Sequence, residues 1–158
     1  MRFFYFAQRY LHNASSFIVD LLVQHGIGNL VIGKNDFWKQ SISLGKRNNQ
    51  NFVFIPHAIF VSQLQYKAEL VGIQAYIPEE SYTSKCSFLD NEPLGKHSSY
   101  MGKRVHRGLF KSKNGQKINA DINGSANIIR KVFPNAFADG IQGVVVPPKR
   151  ITPFKVKA

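Results

Sequence analysis

Apolar side chains recur at helical spacing from about residue 8 to 25, at Leu11, Ala14, Phe17, Ile18, Leu21 and Leu22. Such a stripe predicts an amphipathic helix, and Gly26 and Gly28 supply its stop. Asn29-Leu-Val-Ile-Gly33 then predicts a short buried strand. Residues 34–51 turn polar, with Trp38, Lys39, Lys46 and Arg47 among Asn and Gln, and read as a loop. Pro56 opens a second helix to about Leu70, with Ile59, Phe60, Leu64 and Ala68 on one face. Residues 73–77 predict a second strand. An insertion of about forty residues follows, and helical character returns from Asp121 to about Val132. The tail from Pro134 is rich in Pro, Gly and Val and reads as poorly structured or docked on a partner.

The order is therefore helix, strand, helix, strand, insertion, helix. A crossover between the two strands makes them parallel and right-handed. Two parallel strands alone form a poor sheet, so further strands N-terminal to the first helix are expected to be missing. At 158 residues the chain can bury a core of its own. The apolar start, Met1-Arg-Phe-Phe-Tyr-Phe-Ala-Gln-Arg-Tyr10, is too short and too broken by Arg for a signal peptide or a membrane span. A single cysteine, Cys86, rules out an intrachain disulfide and fits a reducing cytoplasm.

Charge sharpens the picture. The formal net charge is +12 and the isoelectric point about 10.0. Between Lys96 and Lys117 stand Lys96, Lys103, Arg104, Arg107, Lys111, Lys113 and Lys117, with His97 and His106 and no acid. Such a block reads as a phosphate-binding surface, although basic blocks also serve as solubilising faces. The polar loop with Lys46 and Arg47 is a second candidate contact for nucleic acid.

Two acidic motifs flank the block. In Asn119-Ala-Asp-Ile-Asn-Gly-Ser-Ala-Asn127 an acid opens a helix whose first turns are spent on Asn and Gly, both poor helix formers. Asp121 there suits a metal ligand, its anion favoured by the helix dipole; a capping role alone is the alternative. Upstream, Glu79 and Glu80 close the second strand. Adjacent carboxylates in that place suit a Mg²⁺ or Mn²⁺ site. Only one of the two need face it, because successive strand residues point to opposite sides. A solvated loop is the alternative.

These runs carry a resemblance. Leu30-Val-Ile-Gly-Lys-Asn35 with Trp38-Lys39-Gln40, Leu44-Gly-Lys-Arg-Asn-Asn-Gln-Asn-Phe52, Tyr66-Lys-Ala-Glu69, Glu79-Glu-Ser-Tyr-Thr-Ser-Lys-Cys-Ser87, Gly102-Lys-Arg-Val-His-Arg-Gly-Leu-Phe110 and Asn119–Ile128 follow in the order found in the OrfB/TnpB family. The chain resembles the C-terminal part of these transposon-encoded proteins from about Tyr10 to Val146. The resemblance implies an α/β fold: an incomplete RNase H-like, RuvC-type nuclease domain lacking its first strands, with a degenerate zinc-ribbon-like insertion. The expected parts are 1–80 with 119–133 for the nuclease domain, 81–118 for the basic insertion and 134–158 for the tail.

The family's activity is RNA-guided, metal-dependent DNA cleavage in transposition, with DNA and a guide RNA as partners and Mg or Mn as cofactor. Its centre holds three acids. The first, in an Asp-x-Gly strand, has no match here. The second commonly closes the strand matching Leu30 to Gly33, where this chain has Gly33. Fanzor-like members supply it from the next strand, before Thr-Ser-Lys, and Glu80 matches that place, with Glu79 as its alternative. Adjacent strands are about 4.8 Å apart, so a Glu can span the difference. Asp121 matches the third acid. Zinc is disfavoured, since of the paired cysteines only Cys86 remains, with His97, His106 and Asp90 as helpers.

The resulting expectation is a truncated or split nuclease, cytoplasmic and nucleoid-associated, inactive alone and complemented by an N-terminal fragment. An inert nucleic-acid-binding remnant of a decayed transposon is the alternative, and a structural RNA-binding protein is a third.

Overall fold

The computed structural model describes residues 2–34 and 57–138. Of the loop expected over 34–51 only Lys34 is included; Lys46, Arg47 and the tail beyond residue 138 lie outside the described residues. The described part divides into two compact units, residues 2–32 with 57–76 and residues 33–34 with 77–138.

The first unit follows the order α1 (Arg2–Gln24), β1 (Asn29–Val31), α2 (His57–Leu70) and β2 (Gln74–Tyr76). Helix α1 begins before the apolar stripe does, since neither Gly nor Pro interrupts residues 2–24. Both helices end in the same way. Gly26 N donates to Val23 O and Ile27 N to Leu22 O, at 3.0 and 2.9 Å. Gly72 N donates to Glu69 O and Ile73 N to Ala68 O, at 3.1 and 2.9 Å. This paired closure needs a left-handed residue just past the helix, and Gly26 and Gly72 supply it with φ of 63° and 79°.

Each closure delivers the chain straight into a strand. Strands β1 and β2 pair in parallel, with Leu30 opposite Ala75, as the crossover pattern predicts. Val19, Leu64, Ala68 and Ile73 form the core, covered by Leu30, Ile32, Phe60 and Ala75. The expected burial of β1 is only partial: Asn29 is exposed and Leu30 and Val31 half-buried. Its one strand neighbour among the described residues is β2, and a single flank cannot cover both faces. Across the helices Lys67 Nζ donates to His12 O, Ser15 Oγ and Ser16 Oγ at 2.7, 2.7 and 2.9 Å. No described helix is long and apolar enough to cross a membrane.

In the second unit the insertion becomes turns and then a three-stranded antiparallel sheet of β3 (Lys103–His106), β4 (Leu109–Lys111) and β5 (Lys117–Asn119). Strand β5 runs directly into α3 (Ala120–Val132). Gly108, φ 79°, sits in the tight turn joining β3 to β4. Phe110 and Ile118 are neighbours on one sheet face and bury against Phe88, Ala120 and Ala126. The start of the tail belongs to this core: Phe137 meets Phe88 edge-on at 4.9 Å. The expectation for the remainder of the tail, residues 139–158, lies outside the described residues.

Gly102 is fixed by this packing. A Cβ there would lie 2.8 Å from Phe110 Cζ and 3.0 Å from the Lys111 carbonyl. The Gly102→Ala variant must shift either a buried ring or backbone, and is expected to lose about 1–3 kcal/mol of stability. A urea unfolding curve with a lower midpoint and unchanged slope checks this.

Candidate functional site

Helix α3 opens on a cap that is not the expected acid. Asn119 is the N-cap; its Oδ1 accepts from Asp121 N at 2.8 Å and Ile122 N at 3.2 Å. Capping is thus done by the neighbour, and the Asp121 carboxylate is left without that task. Its side chain is 85% exposed, in the first turn, and 3.9 Å from Arg104 Nη2 on β3. An ion pair this exposed contributes about 0–1 kcal/mol, so it can yield to a competing cation.

The other asparagines explain why the helix tolerates poor helix formers. Asn119, Asn123 and Asn127 recur every four residues and mark one face. Asn123 and Asn127 are fully buried. Asn123 Oδ1 accepts from Phe88 N at 2.9 Å, and its Nδ2 donates to Cys86 O at 3.0 Å. Asn127 Nδ2 donates to Thr83 O and Cys86 O, at 2.9 and 2.8 Å. Arg130 Nη1 in turn donates to Asn127 Oδ1 at 3.1 Å; burial lowers the Arg130 pKa, with attraction from Cys86 opposing.

Residues 83–88 are therefore clasped to α3 by side-chain amides. Glu92 completes the clasp: 2% exposed, it accepts from Ser87 N at 2.6 Å through Oε2 and from Met101 N at 2.9 Å through Oε1. The sequence reading missed Glu92 and the asparagine pair. The spacing of Asn119, Asn123 and Asn127 was the available signal; nothing local marks Glu92 as buried.

The paired acids separate cleanly. Glu79 is exposed, forms a parallel bridge with Lys34, and takes Ser81 Oγ at 2.7 Å and Lys131 Nζ at 3.8 Å. Lys131 is ten positions along α3 from Asp121, about 15 Å of helical rise. Glu80 is half-buried, and its N donates to Lys34 O at 3.0 Å. Its side chain lies over Gly33. A Cβ built on Gly33 would stand 2.9 Å from Glu80 Oε2, 3.2 Å from Glu80 Cβ and 2.7 Å from Ile128 Cδ1. Ile128 and Asp121 differ by seven positions and share one face of α3, about 10.5 Å apart along the axis. The carboxylate of Glu80 thus fills the space that a side chain at position 33 would need.

Two non-glycine residues nearby hold left-handed backbone, Tyr82 at φ 63° and Asn91 at φ 50°. Tyr82 sits where the chain turns from Glu80 into the clasped loop; its carbonyl accepts from Lys85 N and Cys86 N, both at 3.0 Å. Among the described residues no group of three or more His, Cys, Asp or Glu stands together to hold a metal ion. Cys86 is buried with Sγ 3.6 Å from Gly95 O, and His97 Nε2 is 2.8 Å from Pro93 O. Asp90 accepts from Ser87 Oγ and Lys113 N at 2.5 and 2.9 Å. Lys96, Lys103, Arg104, Arg107, Lys111, Lys113 and Lys117 are all exposed, and six of the seven lie on or between the three strands β3, β4 and β5.

Comparison with known proteins agrees with the motifs. Residues 57–128 match the family model of the Cas12f1-like TNB domain. A cryo-EM structure of a Cas12f1–sgRNA–target DNA complex shares the fold, with a TM-score of 0.57 and 20% identity over 78% of this chain. No curated protein matches. Over residues 57–128 the chain is therefore similar to the Cas12f1-like family, and it shares the fold of the solved Cas12f1 chain. It spans about a third of the length of the solved Cas12f1 chain, 33%.

Proposed function

We propose that the chain supplies two of the three acids, and part of the nucleic-acid surface, of an RNA-guided, metal-dependent DNA endonuclease. In this reading it is the C-terminal part of an incomplete RuvC-like domain with a metal-free, zinc-ribbon-like insertion, and it works with DNA, a guide RNA and an N-terminal fragment. The observation that carries the reading is Glu80 lying over Gly33 beside Ile128, a residue on the same face of α3 as Asp121 and about 10.5 Å from it along the axis. A carboxylate from the second strand takes the place of one at the end of the first.

The donor set fits Mg²⁺ or Mn²⁺. Both acids offer hard oxygens, and such ions are commonly held by one or two carboxylates, with waters and substrate phosphates completing the shell. Glu80 and Asp121 would hold the metal, which supplies Lewis-acid activation of water and neutralises charge on the leaving oxygen. The chain's own residues do the positioning. The amide clasp from Asn123 and Asn127 holds the segment just after Glu80 against the helix that carries Asp121. Arg104 holds Asp121 in the absence of a metal and is placed to meet a phosphate when that pairing opens. Glu79, engaged with Ser81 and Lys131, steadies the end of α3 rather than the site.

Purified chain with Mg²⁺ or Mn²⁺ is expected to leave single- and double-stranded DNA intact. Adding a fragment with the Asp-x-Gly strand and a guide RNA is expected to produce cleavage that the Asp121→Ala variant lacks. Cleavage by the chain alone, abolished in that variant, would contradict the need for the missing acid. A complemented mixture that binds but never cuts would favour the inert remnant.

A further inference from the structure

We propose that Lys131 is a positioning residue: it pins the peptide that joins Glu79 to Glu80 and so aims the Glu80 carboxylate. This rests on the assignment of Glu80 to the metal site made above. Lys131 stands in the last turn of α3. A lysine there ordinarily serves the helix dipole from solvent. This one leaves its own helix. Its side chain is only 20% exposed. Its Nζ donates to Glu79 O at 2.7 Å and to Ser81 Oγ at 3.3 Å, 52 and 50 positions back in the chain. The Glu79 carboxylate is the lesser partner, 3.8 Å away and 66% exposed. An ion pair so exposed is worth little, whereas a short bond from an ammonium to a carbonyl is charge-assisted. Lys131 therefore holds main chain rather than a side-chain charge.

The main chain it holds is the part that carries Glu80. The Glu79 carbonyl and the Glu80 N–H belong to one planar peptide unit. Lys131 fixes the oxygen of that unit, and the carbonyl of Lys34, next to Gly33, takes its N–H at 3.0 Å. On the far side, the Glu80 carbonyl accepts from Thr83 Oγ1 at 2.7 Å and from Thr83 N at 3.3 Å. The peptide planes before and after Glu80 are thus both tied, and with them the direction of its Cα–Cβ bond.

Glu79 and Ser81 meet on the Lys131 side, with Ser81 Oγ donating to Glu79 Oε2 at 2.7 Å. Glu80 is left to lie over Gly33. Ile128 lies against the same glycine, three positions before Lys131 and on the same face of α3. One face of the helix thus meets both the floor of the site and the peptide that aims its acid. The need for such a pin follows from Gly33, which offers no side chain to brace a long, freely rotating glutamate. Fixing the Glu80 backbone removes in advance part of the freedom that metal binding would otherwise have to remove.

The test uses the full chain in wild type, Lys131→Met, Lys131→Gln, Lys131→Arg and Glu79→Gln. Mn²⁺ affinity is followed by electron paramagnetic resonance, and hydrogen exchange of the Glu80 amide by NMR without metal. Lys131→Met loses the contact, and Lys131→Gln ends one atom short of it. Both should bind Mn²⁺ about 10-fold more weakly, the usual loss when a group that orients a metal ligand is removed. Lys131→Arg still donates and should keep most of the affinity, and Glu79→Gln should keep all of it. Removing a positive charge by itself favours a dication, so weaker binding has the sign that positioning gives and charge does not. The Glu80 amide should exchange faster in the Met and Gln variants while amides of the β4–β5 ladder do not, which separates local loosening from unfolding. Met and Gln variants that bind Mn²⁺ as tightly as wild type, or a Glu80 amide as well protected as before, would overturn the proposal. If wild type itself binds no Mn²⁺, the metal reading fails, and the Glu80 amide still decides whether Lys131 pins that peptide.

Discussion

Replacing Glu92 with alanine is expected to lower the stability of the second unit by about 2–4 kcal/mol, because it strands buried backbone donors. Glu92 is one of the least exposed residues of the chain, and both of its oxygens accept from main-chain N–H groups, at 2.6 and 2.9 Å. An unsatisfied buried donor costs about 1–3 kcal/mol; Ser87 N is the more deeply buried of the two. Glu92→Gln keeps one acceptor and should lose less. Denaturant unfolding of the three proteins checks the order, wild type above Gln above Ala. An alanine variant within about 0.5 kcal/mol of wild type would show that the asparagine clasp alone holds the loop.

A second large effect is expected at Gly33. Any side chain there meets the Glu80 carboxylate and the end of Ile128. Gly33→Glu alone should crowd the site, costing about 1–3 kcal/mol and displacing Glu80. The exchange Gly33→Glu/Glu80→Gly removes the obstructing carboxylate and returns an acid to the end of the first strand. If the two positions serve one site, the exchanged protein should bind Mn²⁺ and the single Glu80→Gly variant should not. Failure of the exchange to restore binding, in a protein that still melts cooperatively, would mean that the two positions are not equivalent.

The sequence shows the helices of the first unit through apolar spacing, and the end of the first through Gly26, because a left-handed residue after a helix is a local requirement; the matching role of Gly72 appears only in the fold. It shows the parallel pair through the crossover length between them. The second unit is less legible. Strands of three or four residues give too short a pattern to read, and their register depends on turns at Gly108 and Gly115 that only the folded sheet fixes. That register is what aligns Lys103, Lys111 and Lys117, so charge alone suggests a basic surface and the fold turns it into a row. The motif around Asp121 is noticed for its acid, yet most of its unusual composition goes into the Asn123 and Asn127 bonds to residues 83–88. Those partners lie more than thirty positions away, beyond the reach of any local pattern. Alternation says only that one of Glu79 and Glu80 faces inward, and the resemblance favours Glu80; the fold adds that Glu80 is half-buried over Gly33 while Glu79 is exposed.

The central claim is that Glu80 and Asp121 hold one divalent cation while Glu79 does not. Its most direct measurement is a Mn²⁺ titration of the purified chain followed by electron paramagnetic resonance, in wild type and in Glu79→Gln, Glu80→Gln and Asp121→Asn. Weak binding is expected in wild type and in Glu79→Gln, and loss of that binding in each of the other two with melting temperatures unchanged. Binding that survives both Glu80→Gln and Asp121→Asn, or that disappears with Glu79→Gln, would contradict it.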